Sequence, residues 1–174
     1  MLSGAVLVVG QRADVDVHNR VLYRPECVQQ EVTALKGRLH PAYGIDYFAI
    51  ARNQFPWSQV PDLIIGHPGF DNFLVALAST SNVSVVDATE TLAALHQTDQ
   101  DGVGTGHKRD DRTYNHRRIV GSLGQLRGCS HIQCTKYRTR WLQSSTTDSY
   151  STVPQKTRRI SIELRQMTSH NTTV

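Results

Sequence analysis

A carboxylate and an amide stand side by side in the segment GHPGFDNFLV, residues 66–75. They are Asp71 and Asn72, and they lie between a proline-glycine turn and an apolar run. In one interpretation Asp71 begins a helix as its N-cap, where its oxygen accepts a backbone amide with a gain of about 1 kcal/mol. In the other, Asp71 is a general base that acts on a hydroxyl group, and Asn72 holds a neighbouring hydroxyl. Both remain open, and His67 on the same turn is expected at the surface.

A second group of candidate residues lies in the segment HQTDQDG, residues 96–102. His96, Asp99 and Asp101 have the side-chain types that bind divalent cations. A solvated loop whose Asp and Gly residues only form turns would have the same composition. An Asp-x-Asp pair, which can bind a metal held on a diphosphate, occurs here and again at Asp14 and Asp16. Two occurrences in so short a chain give neither pair weight by itself.

These residues need a scaffold that brings them together, and the apolar pattern predicts one. Four β-branched or alternating runs predict strands, and four amphipathic runs predict helices. Strands that alternate with short helices are typical of an α/β layered domain, in which the chemistry sits in loops beyond the strand ends. Asp46 and Asp87 are further candidates on this ground. The predicted strands are residues 5–9, 44–50, 83–87 and 158–164, and the predicted helices are 27–39, 71–78, 90–95 and 114–123.

Length and composition fit one domain. The chain has 174 residues, of which 39% are hydrophobic, enough for a core. A formal charge of +4 is a modest excess, and the basic stretch 108–118 contains one aromatic residue, so no nucleic-acid partner is expected. Residues 1–10 have the pattern of a strand, and we expect neither a signal peptide nor a membrane span there.

Two other sequence features leave questions open. Three cysteines are too few for a disulfide scaffold, although Cys129 and Cys134 could pair, so the redox compartment is undetermined. The triplets Asn82 to Ser84 and Asn171 to Thr173 fit the N-glycosylation acceptor pattern. Such triplets are common by chance, and the sequence alone assigns them no role.

A series of short motifs resembles glycosyltransferase-like proteins of the nucleotide-diphospho-sugar transferase (GT-A) superfamily. Each motif is weak by itself, but together they occur in the order of that family and span roughly residues 7–141. The series consists of VGQR (9–12), GIDYF (44–48), FPW (55–57), IGHPGFDN (65–72), VDAT (86–89), HQTD (96–99), YN (114–115) and, more loosely, RGC (127–129) with CTKY (134–137).

The resemblance implies a partial GT-A-like mixed sheet flanked by short helices, with an irregular C-terminal tail. Residues 1–141 would be the acceptor-side portion of the domain, and 142–174 a Ser/Thr-rich, poorly ordered tail. The implied activity moves a sugar from a nucleotide diphosphate donor to a hydroxyl acceptor with the help of Mn²⁺ or Mg²⁺. Asp71 would be the catalytic base, Asp46, Asn72 and His67 would position substrate, and His96 would bind the metal or the diphosphate.

Two departures from the family pattern affect this expectation. Family members carry an arginine where this chain has His67, and their donor-binding strands and metal-binding carboxylates precede the position at which this sequence begins. Asp14 and Asp16 follow the VGQR motif and so come too late to be those carboxylates. A strand at residues 5–9 would then lie at an edge of the sheet, and an exposed apolar strand promotes self-association. We therefore expect poor solubility or self-association of the chain alone.

Two rival functions remain beside glycosyl transfer. The missing donor motif favours a non-catalytic remnant that binds a carbohydrate or a partner chain. A basic nucleic-acid binder rests only on the charges of residues 108–118 and is the weakest of the three.

Overall fold

The computed structural model describes residues 4–15, 37–97, 113–123, 130–142 and 159–165. Within these ranges the protein is α/β, with an open mixed sheet of seven strands and two α-helices. The strands are β1 (Val6–Val15), β2 (Arg38–Leu39), β3 (Ile45–Ile50), β4 (Ser84–Asp87), β5 (Ala94–Gln97), β6 (Tyr137–Leu142) and β7 (Arg159–Leu164). The helices are α1 (Phe70–Thr80) and α2 (Tyr114–Leu123), and short 3-10 turns lie at Trp57–Gln59 and Ile132–Cys134.

Strand β1 is central to the sheet and not at its edge, so that part of the expectation was wrong. Its first half pairs antiparallel with β3 and parallel with β4. Its second half pairs antiparallel with β2 and parallel with β5. The strand continues to Val15 because these later neighbours take up its backbone groups even where Arg12 and Asp14 interrupt the apolar pattern. An exposed β1 therefore cannot be the reason for self-association.

The other side of the sheet continues from β4 through β6 to β7. Strands β4 and β6 are parallel, and β6 and β7 are antiparallel. The predicted strand 158–164 is confirmed as β7, so the segment 142–174 contains at least one ordered element. Arg165, directly after β7, donates from Nη2 to Oδ2 of buried Asp87 at 2.9 Å. This ion pair ties the end of β7 to the end of β4.

Helix α1 packs its apolar residues into the core. Phe73 to Ala78 are all buried, and all of them except Ala76 form one cluster with residues of β1 and β4. Full burial of a Leu, Val or Phe side chain contributes about 1.5–3 kcal/mol, so this helix is a main source of stability. The predicted helix 71–78 is confirmed and begins one residue earlier. No helix in the described ranges is long and apolar enough to cross a membrane.

Two predicted helices need correction. Residues 90–95 do not form a helix: a turn follows Asp87, and Ala94–Gln97 are strand β5. Their helical spacing is overridden by pairing with the second half of β1, a long-range partner that local periodicity does not reveal. The last residues of the predicted helix 27–39, Arg38–Leu39, are strand β2, and residues 27–36 lie outside the described ranges. The predicted helix 114–123 is confirmed as α2.

Asn115 of α2 fixes the loop that leads into α1. Its side chain is fully buried. Oδ1 accepts from the backbone N–H of Ile64 at 2.8 Å, and Nδ2 donates to the carbonyls of Ile64 at 2.8 Å and His67 at 3.2 Å. A buried amide with these partners holds two segments that are 48 to 51 residues apart in sequence.

We expect Asn115→Ala to lower the free energy of unfolding by about 2–4 kcal/mol, because it leaves buried backbone groups of the loop without partners. Urea unfolding monitored by circular dichroism would measure the change. His116→Ala, at the exposed neighbouring position, is the matched control and should stay within about 0.5 kcal/mol of wild type. Equal effects of the two substitutions would contradict the anchoring role of Asn115.

Candidate functional site

A β-bulge places Asp46 out of register in strand β3. The pairing with β1 runs from Gly10 opposite Tyr47 to Gln11 opposite Ile45, so Asp46 has no residue opposite it. Bulges of this kind redirect a side chain and are frequent beside active sites. Asp46 uses both of its carboxylate oxygens in contacts that cross the sheet.

Five side chains form a continuous polar network around Asp46. Arg12 donates from Nη1 to Asp46 Oδ1 at 3.1 Å and from Nε to Asp14 Oδ1 at 3.0 Å. Asp14 Oδ2 lies 2.6 Å from Nδ1 of His40, and Asp46 Oδ2 lies 2.6 Å from Nδ1 of His96. Arg12 and Asp14 are two residues apart on β1 and therefore share a face of the strand. We call these residues the polar network: His96, Asp46, Arg12, Asp14 and His40.

His96 ends the polar network with an open ring nitrogen. An ionised carboxylate can only accept, so Nδ1 of His96 donates to Asp46, and the neutral ring carries its lone pair on Nε2. Nε2 is buried and has no hydrogen-bond partner within the described ranges. A histidine oriented by a carboxylate in this way is suited to bind a metal or accept a proton through Nε2. His96 lies in strand β5 and not in the predicted loop.

The carboxyl of Asp14 is stabilised in its charged form. Burial alone would raise its pKa. The hydrogen bond and charge of His40, together with Arg12, outweigh burial and lower the pKa below its ordinary value. Asp14 therefore carries its negative charge through the neutral pH range and balances Arg12 in the network.

Asp71 has the opposite character. It lies in the first turn of α1, whose N-cap is Gly69 with φ 92°, so Asp71 is not the N-cap that one interpretation predicted. Burial raises the pKa of the Asp71 carboxyl, and the negative charge of Asp46 raises it further. Backbone hydrogen bonds to the carboxyl and the charge of Arg12 oppose this shift without cancelling it. Asp71 is thus a half-buried carboxylate under the electrostatic influence of the polar network.

Asn72 and His67 are held by the fold. Asn72 donates from Nδ2 to the carbonyl of Ser130 at 2.7 Å and, more weakly, to that of Tyr43 at 3.4 Å. His67 is 6% exposed, so the expectation of a surface residue was wrong. Its carbonyl is one of those that Asn115 holds. The predicted substrate-positioning roles of Asn72 and His67 stay predictions.

Asp87 belongs to a separate structural contact. Its Oδ1 accepts from the backbone N–H of Thr89 at 2.9 Å and from the Thr89 hydroxyl at 2.5 Å, and its Oδ2 accepts from Arg165. A carboxylate that is 5% exposed and engaged on both oxygens fixes the turn after β4. We assign it no role in chemistry.

Sequence reasoning missed Arg12 and His40 as members of the site and gave Asp14 little weight. The i, i+2 spacing of Arg12 and Asp14 inside an apolar strand was an available signal, because a central strand has no structural need for paired charges. No sequence signal pointed to His40.

Asp16, Asp99 and Asp101 lie outside the described ranges, and in the part of the chain that is described no three His, Cys, Asp or Glu side chains form a metal-binding group.

We expect Asp71→Asn to raise the melting temperature at pH 7. A folded-state pKa above the unfolded value means that Asp71 favours folding below the unfolded pKa and that this contribution is lost as pH rises through the folded pKa. Asn cannot ionise, so the variant keeps this stabilising contribution at pH 7. Each kcal/mol that is kept raises the melting temperature by about 2–4 °C in a chain of this size. Exposed Asp62→Asn is the control and should leave the melting temperature unchanged. A lower melting temperature for Asp71→Asn would indicate a purely structural carboxylate.

Asp14→Asn should have the opposite effect. A lowered folded-state pKa adds stability above the unfolded pKa of about 3.9, and this is lost as pH falls through the folded pKa. At pH 7 we expect a loss of about 1–2 kcal/mol, since the variant weakens contacts to Arg12 and His40 that are partly exposed. Unfolding at a series of pH values should show this difference shrinking toward pH 3. A difference that is constant with pH would mean that the charge of Asp14 is irrelevant.

No protein-family model, no curated protein and no solved structure matches this chain. The interpretation of the site therefore depends on the geometry of the described residues and on the ordered motif series. Three of the five residues to which the resemblance gave roles, Asp46, Asp71 and His96, belong to the polar network or act on one another electrostatically.

Proposed function

We propose that this chain is a sugar transferase of the GT-A type, or the acceptor-side portion of one. It would assist transfer of a sugar from a nucleotide diphosphate donor to a hydroxyl acceptor. Support comes from the ordered motif series and from an α/β fold with a mixed sheet, which is the layered architecture that the resemblance implies. Residues from two motifs that are 50 positions apart, Asp46 and His96, are in direct contact.

The observation that carries the proposal is the position of Asp71, half-buried in the first turn of α1, where burial and the charge of Asp46 raise the pKa of its carboxyl. An acceptor hydroxyl must lose its proton as it attacks, and a carboxylate of raised basicity takes a proton more readily than an ordinary one. Asp71 lies at the N-terminal turn of α1 without serving as the N-cap. Burial of a charged side chain that caps no helix lowers the stability of the fold. Residues that are retained for function commonly lower stability in this way.

The polar network would organise the reaction from the other side. Arg12 and Asp46 set the local charge near Asp71, and Asp46 orients the His96 ring. The buried lone pair on His96 Nε2 fits one ligand position of a divalent cation. When bound, such a cation would supply positive charge to the diphosphate leaving group. Asp99 and Asp101, three and five residues further on, have the side-chain types to complete the set.

A second candidate function is a binding module that performs no chemistry. Both oxygens of Asp46 and both oxygens of Asp14 are already engaged within the polar network. A network that is hydrogen-bonded in this way can position a carbohydrate hydroxyl or a partner chain without a reaction. Binding of a nucleotide diphosphate sugar separates the two candidates, because only the transferase needs a donor.

The test is calorimetric titration with a panel of nucleotide diphosphate sugars, with and without Mn²⁺, followed by turnover assays against a hydroxyl-acceptor library. We expect donor binding that depends on the metal and is weakened at least about tenfold in His96→Ala. Asp71→Asn should bind donor normally and lose turnover by about 10²–10⁴, the usual contribution of a general base. Exposed Asp62→Asn is the control for both measurements.

Stability data make the outcomes separable. Asp71→Asn is expected to be at least as stable as wild type, so lost turnover could not be ascribed to unfolding. Full turnover in that variant would rule out Asp71 as the base. Absence of donor binding by folded wild-type protein would contradict a donor site in this chain and leave either the acceptor-side portion or the binding module.

A further inference from the structure

We infer that Asn82 is an N-glycosylation site and that this chain matures in a compartment where such transfer takes place. The inference does not depend on the proposed function. Asn82, Val83 and Ser84 form an acceptor triplet in which the middle residue is not proline. Many such triplets are inaccessible after folding, so the structural position of this one decides whether it can retain a glycan.

The acceptor triplet spans the end of the three-residue connection between α1 and β4, residues 81–83, and the first residue of β4. Asn82 is exposed, whereas Val83 is 6% exposed and belongs to the core. Val83 donates its backbone N–H to Ala78 at 3.1 Å, and Ser84 donates its backbone N–H to Ala5 at 2.9 Å. The backbone on the C-terminal side of Asn82 is therefore fixed while Asn82 itself stays accessible to solvent. A glycan at this position would not need to displace any core residue.

The turn lies at the end of the fold remote from the candidate site. Asp71 and Asn82 are separated by the length of α1, an 11-residue helix of about 16 Å. Ser84 pairs with Val6, and Arg12 of the polar network is six residues further along β1, about 20 Å away. A large hydrophilic group on Asn82 would thus leave the polar network and Asp71 accessible.

An independent observation concerns the redox environment. Cys134 is disulfide-bonded, and the two other cysteines, Cys27 and Cys129, lie outside the described ranges. Disulfides form and persist in oxidising compartments, which include the endoplasmic reticulum lumen, where N-linked glycans are added. An exposed acceptor triplet and a disulfide point to the same compartment by different chemistry.

The competing explanation is that Asn82 serves only the backbone. Its φ is 57°, in the left-handed region that glycine and asparagine tolerate best, as is usual just after a helix. The left-handed backbone conformation explains why asparagine occurs at position 82, but it requires no particular residue at position 84. Glycosylation, in contrast, needs both residues, so substitutions at the two positions distinguish the explanations.

In the proposed modification, a new bond joins Nδ2 of Asn82 to the anomeric carbon of an oligosaccharide. The bond from that carbon to the diphosphate oxygen of a lipid-linked donor breaks. The lipid diphosphate leaves with the electron pair, and Nδ2 gives up one proton to a base of the transferring enzyme. No oxidant or reductant is involved.

The test uses the full chain produced through the endoplasmic reticulum of eukaryotic cells behind an added signal peptide. The variant Thr173→Ala serves as background to remove the second acceptor triplet. We expect a gel shift that peptide-N-glycosidase F abolishes, with conversion of Asn82 to Asp in peptide mass spectra. Ser84→Thr should keep the shift, and Ser84→Ala should lose it. Asn82→Gly should lose the shift while preserving the left-handed turn, as judged by an unchanged melting temperature after deglycosylation.

A second arm applies the same enzyme and mass spectra to protein purified from its natural source without an added signal. Conversion of Asn82 there would establish that the natural protein reaches this compartment. Unmodified Asn82 in folded, secreted background protein, or modification confined to Asn171 in the natural protein, would overturn the inference. Either result leaves donor binding and turnover untouched, so it cannot be confused with failure of the proposed function.

Discussion

Pairing of β1 with four other strands holds the sheet together and positions the polar network. Each half of this ten-residue strand has one antiparallel and one parallel neighbour. The backbone hydrogen bonds of a central strand are worth about 0.5–1.5 kcal/mol each, and leaving them unmade would cost more. This pairing allows polar residues such as Arg12 and Asp14 to remain in a strand, and it brings β3 and β5 within reach of each other through Asp46 and His96.

The charges around the site shift the pKa values of two carboxylates in opposite directions. Asp14 is paired with His40 and Arg12, which lowers its pKa, whereas burial and the nearby charge of Asp46 raise the pKa of Asp71. Titratable groups whose environments drive their pKa values apart are typical of sites that transfer protons. The buried pair of Asp87 with Arg165 shows the alternative, a carboxylate that is saturated by structural contacts.

A helix or strand could be predicted from the sequence where the spacing of its apolar residues agrees with the way it packs in the structure. Helix α1 was predictable because Phe73, Leu74, Leu77 and Ala78 have helical spacing, and β4 and β7 because their runs are short and contain β-branched residues. The length of β1 and the existence of β5 were not, since both depend on partners far away in the chain. Within the site, Asp46, Asp71 and His96 were identified from residue type and motif, but the bulge at Asp46 and the contact of Asp14 with His40 are products of register, which a single sequence does not encode locally.

The central claim is that Asp71 is a carboxylate of raised basicity coupled to Asp46. The most direct measurement is a pH titration of its side-chain carboxyl by ¹³C NMR in wild-type protein and in Asp46→Asn. We expect a pKa for Asp71 above the ordinary value of about 3.9 in wild type, and a lower pKa once the Asp46 charge is removed. A pKa at or below 3.9 in wild type would contradict it, as would a value that does not respond to Asp46→Asn.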